Sequence, residues 1–368
     1  MLGPILSLIM ITQATPTADL TQVEGWRQNV VINGEGYFPV MDKMPDGRAV
    51  VVLRGGGGHL GIGGRLDLLF SHDGVLWHSK RTAVDTSADD RNPAFGVTPE
   101  GRLLLGIHHQ ASYNGHNVYT SPFSLARDLQ VYSDDEGLTW SDFNHLELGE
   151  VGTHSPFGRI IRLQDGTYLQ NVYGEHAPAV PGIPEATEGV RDYSYVVRSN
   201  DEGATWGEPA LIAAGHNETT LLELKDGSVL AAARDDLNGA HLDLYRSEDK
   251  GRTWSFLVKA TDKSQHPADL IDLGQGNVLL IFGNRRDEER DIRGILSRDG
   301  GQTWETEKQM RLTAPVTGDF GYPSAVVMDD DLLIVHYMAG EGADTYDGTK
   351  AKCFATLVPI EEILKTTK

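Results

Sequence analysis

A short phrase that ends in tryptophan repeats along the chain and constrains its fold more than any other feature. Five of the six tryptophans lie in copies of this phrase, at residues 71–77, 133–140, 199–206, 247–254 and 297–304. In each copy an Asp can accept backbone N–H bonds, a Gly can supply a positive φ, and the Trp can pack beneath a hairpin turn. Spacings of 48 to 66 residues between copies indicate a stack of equivalent sheets rather than an ordinary globular core.

A second repeat predicts how many of these sheets the chain forms. Each instance opens with a polar or aromatic residue before Pro or Thr, continues through apolar residues and reaches a turn resembling Asp-Gly. The six instances are 37–47, 91–101, 155–166, 217–227, 266–276 and 322–331. Because Pro is tolerated at the first residue of a strand, each instance is predicted to be two strands joined by a turn. The sequence therefore predicts an all-β fold, a six-bladed β-propeller whose last strand (352–358) pairs with residues 30–32 to close the ring.

Composition narrows the possible partners. The chain has 368 residues, and its formal charge of −21 argues against nucleic acid or an anionic membrane surface as a partner. An anionic substrate remains possible if arginines are concentrated in one pocket. The single cysteine, Cys353, excludes disulfides within the chain.

The first residues read as a targeting segment. Residues 1–14 are apolar and end in small residues, as in a signal peptide, although no Lys or Arg precedes the apolar run. We predict a signal segment at 1–18, a single propeller domain at 19–368, and a secreted or periplasmic protein. The alternatives are a wrongly assigned start and a short buried segment. No later segment is long and apolar enough to predict a membrane span.

The two-strand repeat also predicts which side chains share one face of the propeller. Seven residues after each turn glycine, the second strand should return to the end where the first strand began. This count reaches Arg54, His108, Tyr173, Arg234 and Gly283, the last just before Arg285 and Arg286. The first strands open at Tyr37, Arg91, His154, Asn217, Glu218, His266 and Tyr322. A ring of Arg, His, Tyr and Glu predicts a functional site; solvated strand ends, the alternative, usually carry Asp, Asn, Ser and Lys.

Histidines are concentrated on the same predicted face. They are His59, His108, His109, His154, His176, His216 and His266. So many imidazoles near one axis leave a metal site open as an alternative. No closely spaced ligand motif supports it, however, so we predict neither a metal nor another cofactor.

With these motifs, the chain resembles the sialidase superfamily over residues 25–360. Members are six-bladed propellers whose tryptophan hairpins are called Asp boxes. They bind the substrate carboxylate with arginines and attack with a tyrosine that a glutamate activates. The segment around Glu218 and Arg234 is similar to the family's Glu-then-Arg segment, and the segment around Tyr322 is similar to its Gly-Tyr-Ser segment. The resemblance implies that Tyr322 is the nucleophile, Glu218 its base, and Arg234 one of the arginines.

The resemblance leaves several candidates for the other arginines that would bind the substrate carboxylate. Arg285 is the first candidate, and Arg286 and Arg293 compete with it. Planar guanidinium groups suit this task because they bind carboxylates through two parallel hydrogen bonds and stay charged at any working pH.

Two features of the first blade depart from the family pattern. Sialidases open this blade with Arg-Ile-Pro, whereas this chain has Tyr37, Phe38 and Pro39. We expect Arg54 or Arg91 to substitute for the missing arginine. The family's acid/base Asp is also absent, because the loop 54–65 has no carboxylate. His59 is the titratable group of that loop suited to donate a proton near neutral pH.

These residues lead to three hypotheses. The first is an exo-acting glycoside hydrolase that releases a sialic-acid-like or related ulosonic or uronic sugar from a glycan. Arg54, Arg234 and Arg285 would bind the carboxylate, and His59 would protonate the leaving group. Other candidate substrate contacts are Tyr37, Arg91, His108, Tyr173, His216, His266 and Arg286. The second hypothesis is a uronate polysaccharide lyase that uses a His/Tyr pair, and the third is a non-catalytic carbohydrate-binding propeller. The oligomeric state stays open.

Overall fold

The computed structural model describes residues 16–120, 126–146, 154–177, 185–286 and 289–366. The described residues form 25 strands and one short α-helix, so the all-β prediction is confirmed. In chain order the elements are β1 (Ala18–Asp19), β2 (Arg27–Asn33), β3 (Tyr37–Lys43), β4 (Ala49–Gly55), β5 (Arg65–Ser71), β6 (Trp77–Val84), β7 (Asp89–Val97), β8 (Leu103–Gln110), β9 (Ala126–Ser133), β10 (Asn144–His145), β11 (His154–Arg162), β12 (Tyr168–Gly174), β13 (Tyr193–Ser199), β14 (Gly207–Ala214), β15 (His216–Glu223), β16 (Val229–Asp235), β17 (Leu242–Ser247), β18 (Ser255–Lys259), β19 (Gln265–Gly274), β20 (Asn277–Asn284), β21 (Asp291–Ser297), β22 (Met310–Arg311), β23 (Phe320–Met328), β24 (Asp331–Met338), β25 (Lys352–Pro359) and α1 (Ile360–Lys365).

The strands form five sheets in a propeller-like arrangement. Three sheets have four strands, with the orders β3-β4-β5-β6, β15-β16-β17-β18 and β2-β25-β24-β23. One sheet has five strands, in the order β1-β22-β21-β20-β19. The fifth sheet has eight strands, in the order β10-β9-β8-β7-β11-β12-β13-β14. The repeated antiparallel meander follows from the predicted alternation of strands and tight turns.

The eight-stranded sheet is a departure from the predicted pattern of separate blades. Two antiparallel units, β7–β10 and β11–β14, join where Gly158 and Arg159 pair in parallel with Ala94 and Phe95. Gly96 permits this approach, because a Cβ there would lie 2.5 Å from the carbonyl oxygen of Ile160. The described structure is thus propeller-like, with two neighbouring units hydrogen-bonded into one sheet.

The first two strands of the described chain pair with strands near its end. Strand β2 pairs antiparallel with β25, from Arg27 opposite Leu357 to Asn33 opposite Lys352, which confirms the predicted pairing of residues 30–32. At the start of the described chain, β1 runs parallel to β22, and the Thr17 N–H bonds to the Gln309 carbonyl at 2.8 Å. Residue 18, predicted to end the leading segment, therefore lies in a sheet, and residue 17 is hydrogen-bonded next to it. Residues 1–15 of that predicted segment lie outside the described residues.

The tryptophan hairpins adopt the predicted turn, between the third and fourth strands of each unit. In the copy at 133–140, Asp135 accepts hydrogen bonds from the backbone N–H of Thr139 (2.8 Å) and from its hydroxyl (2.6 Å). The Ser133 hydroxyl accepts a bond from the Gly137 N–H at 2.8 Å, and Gly137 has a φ of 80°. The Asp and Ser side chains of the hairpin thus bond within the turn itself, which fits a structural role for the Asp boxes.

Apolar cores lie between neighbouring sheets. One joins Val52 and Leu68 of one sheet to Phe95 and Leu105 of the next, all fully buried. Each such side chain stabilises the fold by roughly 1.5–3 kcal/mol. Within the described chain, no helix has the length and apolar character that crossing a bilayer requires. The packed sheets thus hold the ends of their first two strands in fixed positions around one face.

Candidate active site

A cavity of about 480 Å³ opens on the face where the first strands begin. The register there brings predicted residues into pairs, because Arg91 lies opposite His108 and Asn217 lies opposite Arg234. Nine of the predicted site residues line the cavity, namely His59, Arg91, His108, Tyr173, Glu218, Arg234, His266, Arg285 and Tyr322. Four do not line it, namely Tyr37, Arg54, His216 and Arg286.

A bulge in the backbone aims Tyr322 into this cavity. The pairing of β23 with β24 shifts register between Gly321 and Ser324, and Tyr322 has a φ of 52°, in the left-handed region. Such conformations cost of order 1–3 kcal/mol in non-glycine residues and persist where the surroundings enforce them. The preceding Gly321 leaves room for Arg285, since a Cβ at Gly321 would lie 2.8 Å from Arg285 Nη2. The Gly-Tyr pair thus brings a phenol and a guanidinium side by side.

Tyr322, Glu218 and Arg234 form one hydrogen-bonded chain. The Tyr322 hydroxyl donates to Glu218 Oε1, and Arg234 Nη1 donates to Glu218 Oε2 at 2.8 Å. Burial raises the pKa of Tyr322 well above its ordinary value, and the nearby negative charge of Glu218 acts in the same direction. The phenol is therefore neutral at rest, with its proton directed to the carboxylate that could accept it.

Arg285 presents unused donors at the same place. Its Nε and Nη2 atoms are buried and have no hydrogen-bond partner among the described residues. Its Nη1 lies 3.7 Å from Asp319 Oδ1, and its guanidinium lies 5.9 Å from the Tyr322 ring centroid. An unpartnered pair of parallel N–H groups is what a bidentate carboxylate requires.

The positive charges of Arg234 and Arg285 act on the same cavity wall. Burial, followed by the charges of these two arginines, lowers the pKa of His266 to about 2. His266 is therefore neutral at any ordinary pH. All three side chains line the same cavity.

Arg91 completes the cationic part of the cavity. Its guanidinium lies over the Phe38 ring at 5.5 Å and 3.9 Å from Asp89. Next to it, the Asn92 side-chain amide donates to the Tyr173 hydroxyl at 3.3 Å. Burial, and then the charge of Arg91, lowers the pKa of His108 to about 4, so this imidazole is neutral near neutral pH.

The structure does not support a direct substrate contact for Arg54. Its side chain is completely buried, and its Nη2 bonds to Asp89 at 2.6 Å and to the Gly61 carbonyl at 3.0 Å. Asp89 also accepts a bond from the Tyr113 hydroxyl and faces Arg91. Arg54 thus neutralises the carboxylate behind the cavity, and of the two predicted substitutes only Arg91 reaches the cavity wall.

The other three residues outside the cavity wall also have partners elsewhere. Arg286 pairs with Asp262 at 2.5 Å. Tyr37 packs in an apolar cluster with Phe38 and Tyr337, and burial raises its pKa to about 12. His216 Nε2 lies 3.1 Å from Asp243 Oδ2. The competing Arg293 is buried against Asp291 and Glu289. Counting residues from the turn glycines places a residue at a strand end, but it does not predict whether the side chain points into the cavity or away from it.

His59 faces the cavity with a carboxylate behind it. Its Nδ1 donates to Asp319 Oδ2 at 2.7 Å, and the Tyr337 hydroxyl donates to the same oxygen at 2.9 Å. Burial opposes ionisation of Asp319, but the His59 bond and charge and the Arg285 charge outweigh it and lower the pKa of Asp319. This Asp was missed from the sequence, although it lies only three residues before Tyr322 on the same strand end.

A charged rim was also missed. Arg191 Nη2 bonds to Asp192 at 2.8 Å and to Asp236 at 2.9 Å, and all three residues line the cavity mouth. Asp236 follows Arg234 by two residues, which is the signal that could have revealed it. The rim offers carboxylates and a guanidinium to the hydroxyl groups of a polar ligand.

Comparison with known proteins agrees with this architecture. A model of the BNR repeat-like domain family matches residues 44–335. The chain is 24% identical over 345 residues to a sialidase of Micromonospora viridifaciens, covering 86% of this chain and 52% of the relative. It is 25% identical over 305 residues to a sialidase of Bacteroides fragilis, covering 78% and 53%. The chain thus spans about half the length of these curated relatives.

Solved structures are similar in fold at low identity. A Dyadobacter fermentans protein of unknown function superposes with a TM-score of 0.73 at 20% identity, covering 92% of this chain and all of that one. Trypanosoma rangeli sialidase in complex with the inhibitor DANA superposes with a TM-score of 0.66 at 16% identity, covering 91% and 57%. The chain belongs to the BNR repeat-like domain family, within the sialidase superfamily, and the predicted resemblance is confirmed.

Proposed function

We propose that this protein is an exo-acting glycoside hydrolase that releases an acidic, sialic-acid-like sugar from a glycan through a tyrosine nucleophile. The observation that carries the proposal is the hydrogen bond from Tyr322 to Glu218, beside Arg234 and Arg285 in one cavity. A cavity of about 480 Å³ suits a single sugar unit better than a polymer chain. The sialidase relatives support the same reaction class at low identity.

In the first step the Tyr322 oxygen attacks the anomeric carbon and its proton passes to Glu218. The glycosidic C–O bond breaks, and the leaving oxygen takes a proton from Nε2 of His59. A neutral phenol suits this position because a carboxylate nucleophile would be repelled by the carboxylate of the sugar. Arg234 holds Glu218 Oε2 through a hydrogen bond at 2.8 Å, which leaves Oε1 directed at the phenol to accept the proton.

In the second step water replaces the enzyme on the anomeric carbon. His59, now neutral, takes a proton from the attacking water, and the bond from carbon to the Tyr322 oxygen breaks. Glu218 then returns the proton to Tyr322. Two displacements at one carbon retain its configuration. Asp319 touches no reacting atom; it is a positioning residue that fixes the His59 tautomer and ring orientation.

The carboxylate of the sugar is assigned to Arg285, Arg234 and Arg91. Arg285 supplies the unpartnered Nε and Nη2 donors, and Arg234 has a buried Nε without a partner among the described residues. Arg91 contributes charge from the opposite wall. In this assignment Arg91 takes the place of the first-blade arginine that the chain lacks.

We also infer that the propeller has six blades. The eight-stranded sheet consists of two antiparallel four-strand units joined by a two-residue parallel bridge. Counting these units as two blades, together with the four remaining sheets, matches the six two-strand repeats. Export and the signal segment stay predictions.

Hydrolysis of aryl glycosides tests the proposed reaction. A panel of 4-methylumbelliferyl glycosides of nine-carbon ulosonic acids and of uronic acids would identify the substrate by fluorescence release. Tyr322→Phe is expected to lower kcat at least about 10³-fold, because it removes the nucleophilic oxygen. Tyr132→Phe is the matched control, since Tyr132 lies in β9 beneath Arg102, outside the cavity.

Three outcomes contradict the proposal. One is unchanged turnover by the Tyr322→Phe variant. Another is an increase in ultraviolet absorbance on uronate polymers, because a lyase forms an unsaturated sugar and a hydrolase does not. The third is sugar binding without any turnover across the panel, which is the behaviour of a carbohydrate-binding propeller.

A further inference from the structure

We propose that the chain holds a buried binding site for one divalent transition-metal ion, outside the cavity described above. Its four ligand residues are His216, Asp235, His241 and Asp243. All four are nearly fully buried. Candidate ligand atoms of three of them, His216, Asp235 and Asp243, lie within 4.8 Å of one another. Metal binding at this site requires neither a sugar nor a catalytic step, so it can be tested independently of the proposed reaction.

Asp243 lies at the centre of the cluster. Its Oδ2 is 3.1 Å from His216 Nε2, and its Oδ1 is 3.1 Å from His241 Nε2. His241 Nε2 is also 3.9 Å from Asp235 Oδ2. Three elements therefore direct nitrogen and oxygen donors toward one small volume, which is the mixed donor set that Zn²⁺ accepts in proteins.

A backbone hydrogen bond orients the His216 ring toward the cluster. His216 Nδ1 lies 2.9 Å from the Ala214 carbonyl, and because a carbonyl only accepts, this nitrogen carries the hydrogen. Nε2 of the same ring therefore points at the Asp243 carboxylate, 3.1 Å from Oδ2, and a proton or a metal cation has to lie between these two atoms. The Tyr245 hydroxyl lies 3.4 Å from Nε2, and Asp235 accepts bonds from the Leu237 N–H at 2.8 Å and from the Asn238 side-chain amide at 2.9 Å. A backbone carbonyl behind a ligand imidazole is the usual second layer of a metal site.

In the described part of the chain, no Lys or Arg side chain balances the charge of the cluster. Asp235 and Asp243 together carry two negative charges, and within the described part of the chain neither forms an ion pair with Lys or Arg. Buried carboxylates are normally paired or bound to a metal. One divalent ion would neutralise both, and imidazole with carboxylate ligands favours zinc over calcium or magnesium.

The strand register explains both how the cluster forms and what a metal would do there. His216 begins β15 and pairs with Asp235, which ends β16. His241 and Asp243 are two residues apart at the start of β17, so their side chains share one face. The next paired residues toward the cavity are Asn217 and Arg234, and Glu218 follows. A metal at this point would fasten together the strand ends that carry Glu218 and Arg234.

Zinc binding to the full chain tests the site. The purified protein, stripped with a chelator and carrying no histidine tag, would be titrated with Zn²⁺ and its melting followed. We expect one Zn²⁺ per chain, a Tm that rises by several degrees at saturation, and, with Co²⁺ in place of zinc, visible absorption bands of a low-symmetry site. Asp243→Asn and His241→Gln should each weaken zinc binding at least about tenfold.

The matched control is His72→Gln. His72 stacks on His78, with ring centroids 5.6 Å apart, and both residues are exposed. Two neighbouring surface imidazoles could bind zinc adventitiously, so this pair serves as the control. Binding that is lost with His72→Gln, or that is equal in wild type, Asp243→Asn and His241→Gln, would overturn the proposal. So would a Tm that does not respond to zinc in the wild-type protein.

Discussion

Two adjacent arginines, Arg285 and Arg286, have different environments although the sequence treats them as competitors. Arg285 lines the cavity with two unpartnered donors, whereas Arg286 pairs with Asp262 outside it. We expect Arg285→Lys to lower kcat/KM roughly 10- to 100-fold, because Lys cannot form the bidentate bond. Arg286→Lys should change kcat/KM less than about twofold. Equal losses in the two variants, measured on the same aryl glycoside, would refute this distinction.

Asp319 offers a second test at the scale of single residues. Asp319→Asn removes the carboxylate that holds His59 Nδ1. We expect kcat to fall roughly 10- to 100-fold, because the imidazole is then no longer held in one tautomer and ring orientation, with little change in KM for the aryl glycoside. Asp319→Glu should restore part of the rate. A KM that rises as much as kcat falls would instead indicate that the variant has lost substrate binding.

Some of these residues could be predicted from the sequence, and others could not. Tyr322, Glu218 and Arg234 could be placed because strand register is local and has a period of two. Arg54 could not, because its orientation depends on the ion pair with Asp89 in the next sheet. Asp319 was missed because its contact with His59 spans 260 residues of chain. Side-chain partners between sheets are not encoded in any local pattern.

At the scale of elements, the Asp-box glycines fix how one unit packs on the next. Gly203 has a φ of 79°, and a Cβ there would lie 2.5 Å from Leu104 of the neighbouring unit. Gly227 has a similar φ of 82° but nothing within 4 Å. Gly203→Ala should therefore lower the free energy of unfolding by about 2–4 kcal/mol, and Gly227→Ala by about 1–2 kcal/mol. Urea unfolding of both variants measures the difference, and equal losses would show that only backbone strain matters.

The repeated turns were predictable at this scale, and the junction of two units was not. Asp, Gly and Trp at fixed offsets define the hairpin through bonds within eight residues, as Asp135 and Thr139 show. The parallel bridge from β7 to β11 depends on close approach at Gly96, whose neighbour Ile160 is distant in sequence. Glycine in a strand signals such an approach without naming the partner.

For the whole molecule, a buried histidine predicts how stability depends on pH. His336 is fully buried, has no hydrogen-bond partner among the described residues, and stacks on Phe354. Burial lowers its pKa from 6.5 to about 3. Between these values the unfolded chain binds a proton that the folded protein excludes, so stability falls as pH decreases through this window.

Replacing this imidazole isolates its contribution. From pH 7 to pH 5 the wild-type protein should lose about 2 kcal/mol more unfolding free energy than His336→Leu does. Denaturant unfolding at the two pH values gives both differences. Parallel pH dependence in the two proteins would mean that His336 is protonated or solvated in the folded state.

Labelling of the nucleophile tests the central claim most directly. A 2,3-difluoro nine-carbon acidic sugar carries a good leaving group, while its second fluorine slows both displacements, so a covalent intermediate should accumulate. Intact-mass and peptide mass spectrometry are expected to show one sugar adduct on the peptide containing Tyr322, and none on the Tyr322→Phe variant. An adduct on any other residue, or turnover of the matching aryl glycoside without an adduct at Tyr322, would contradict the account.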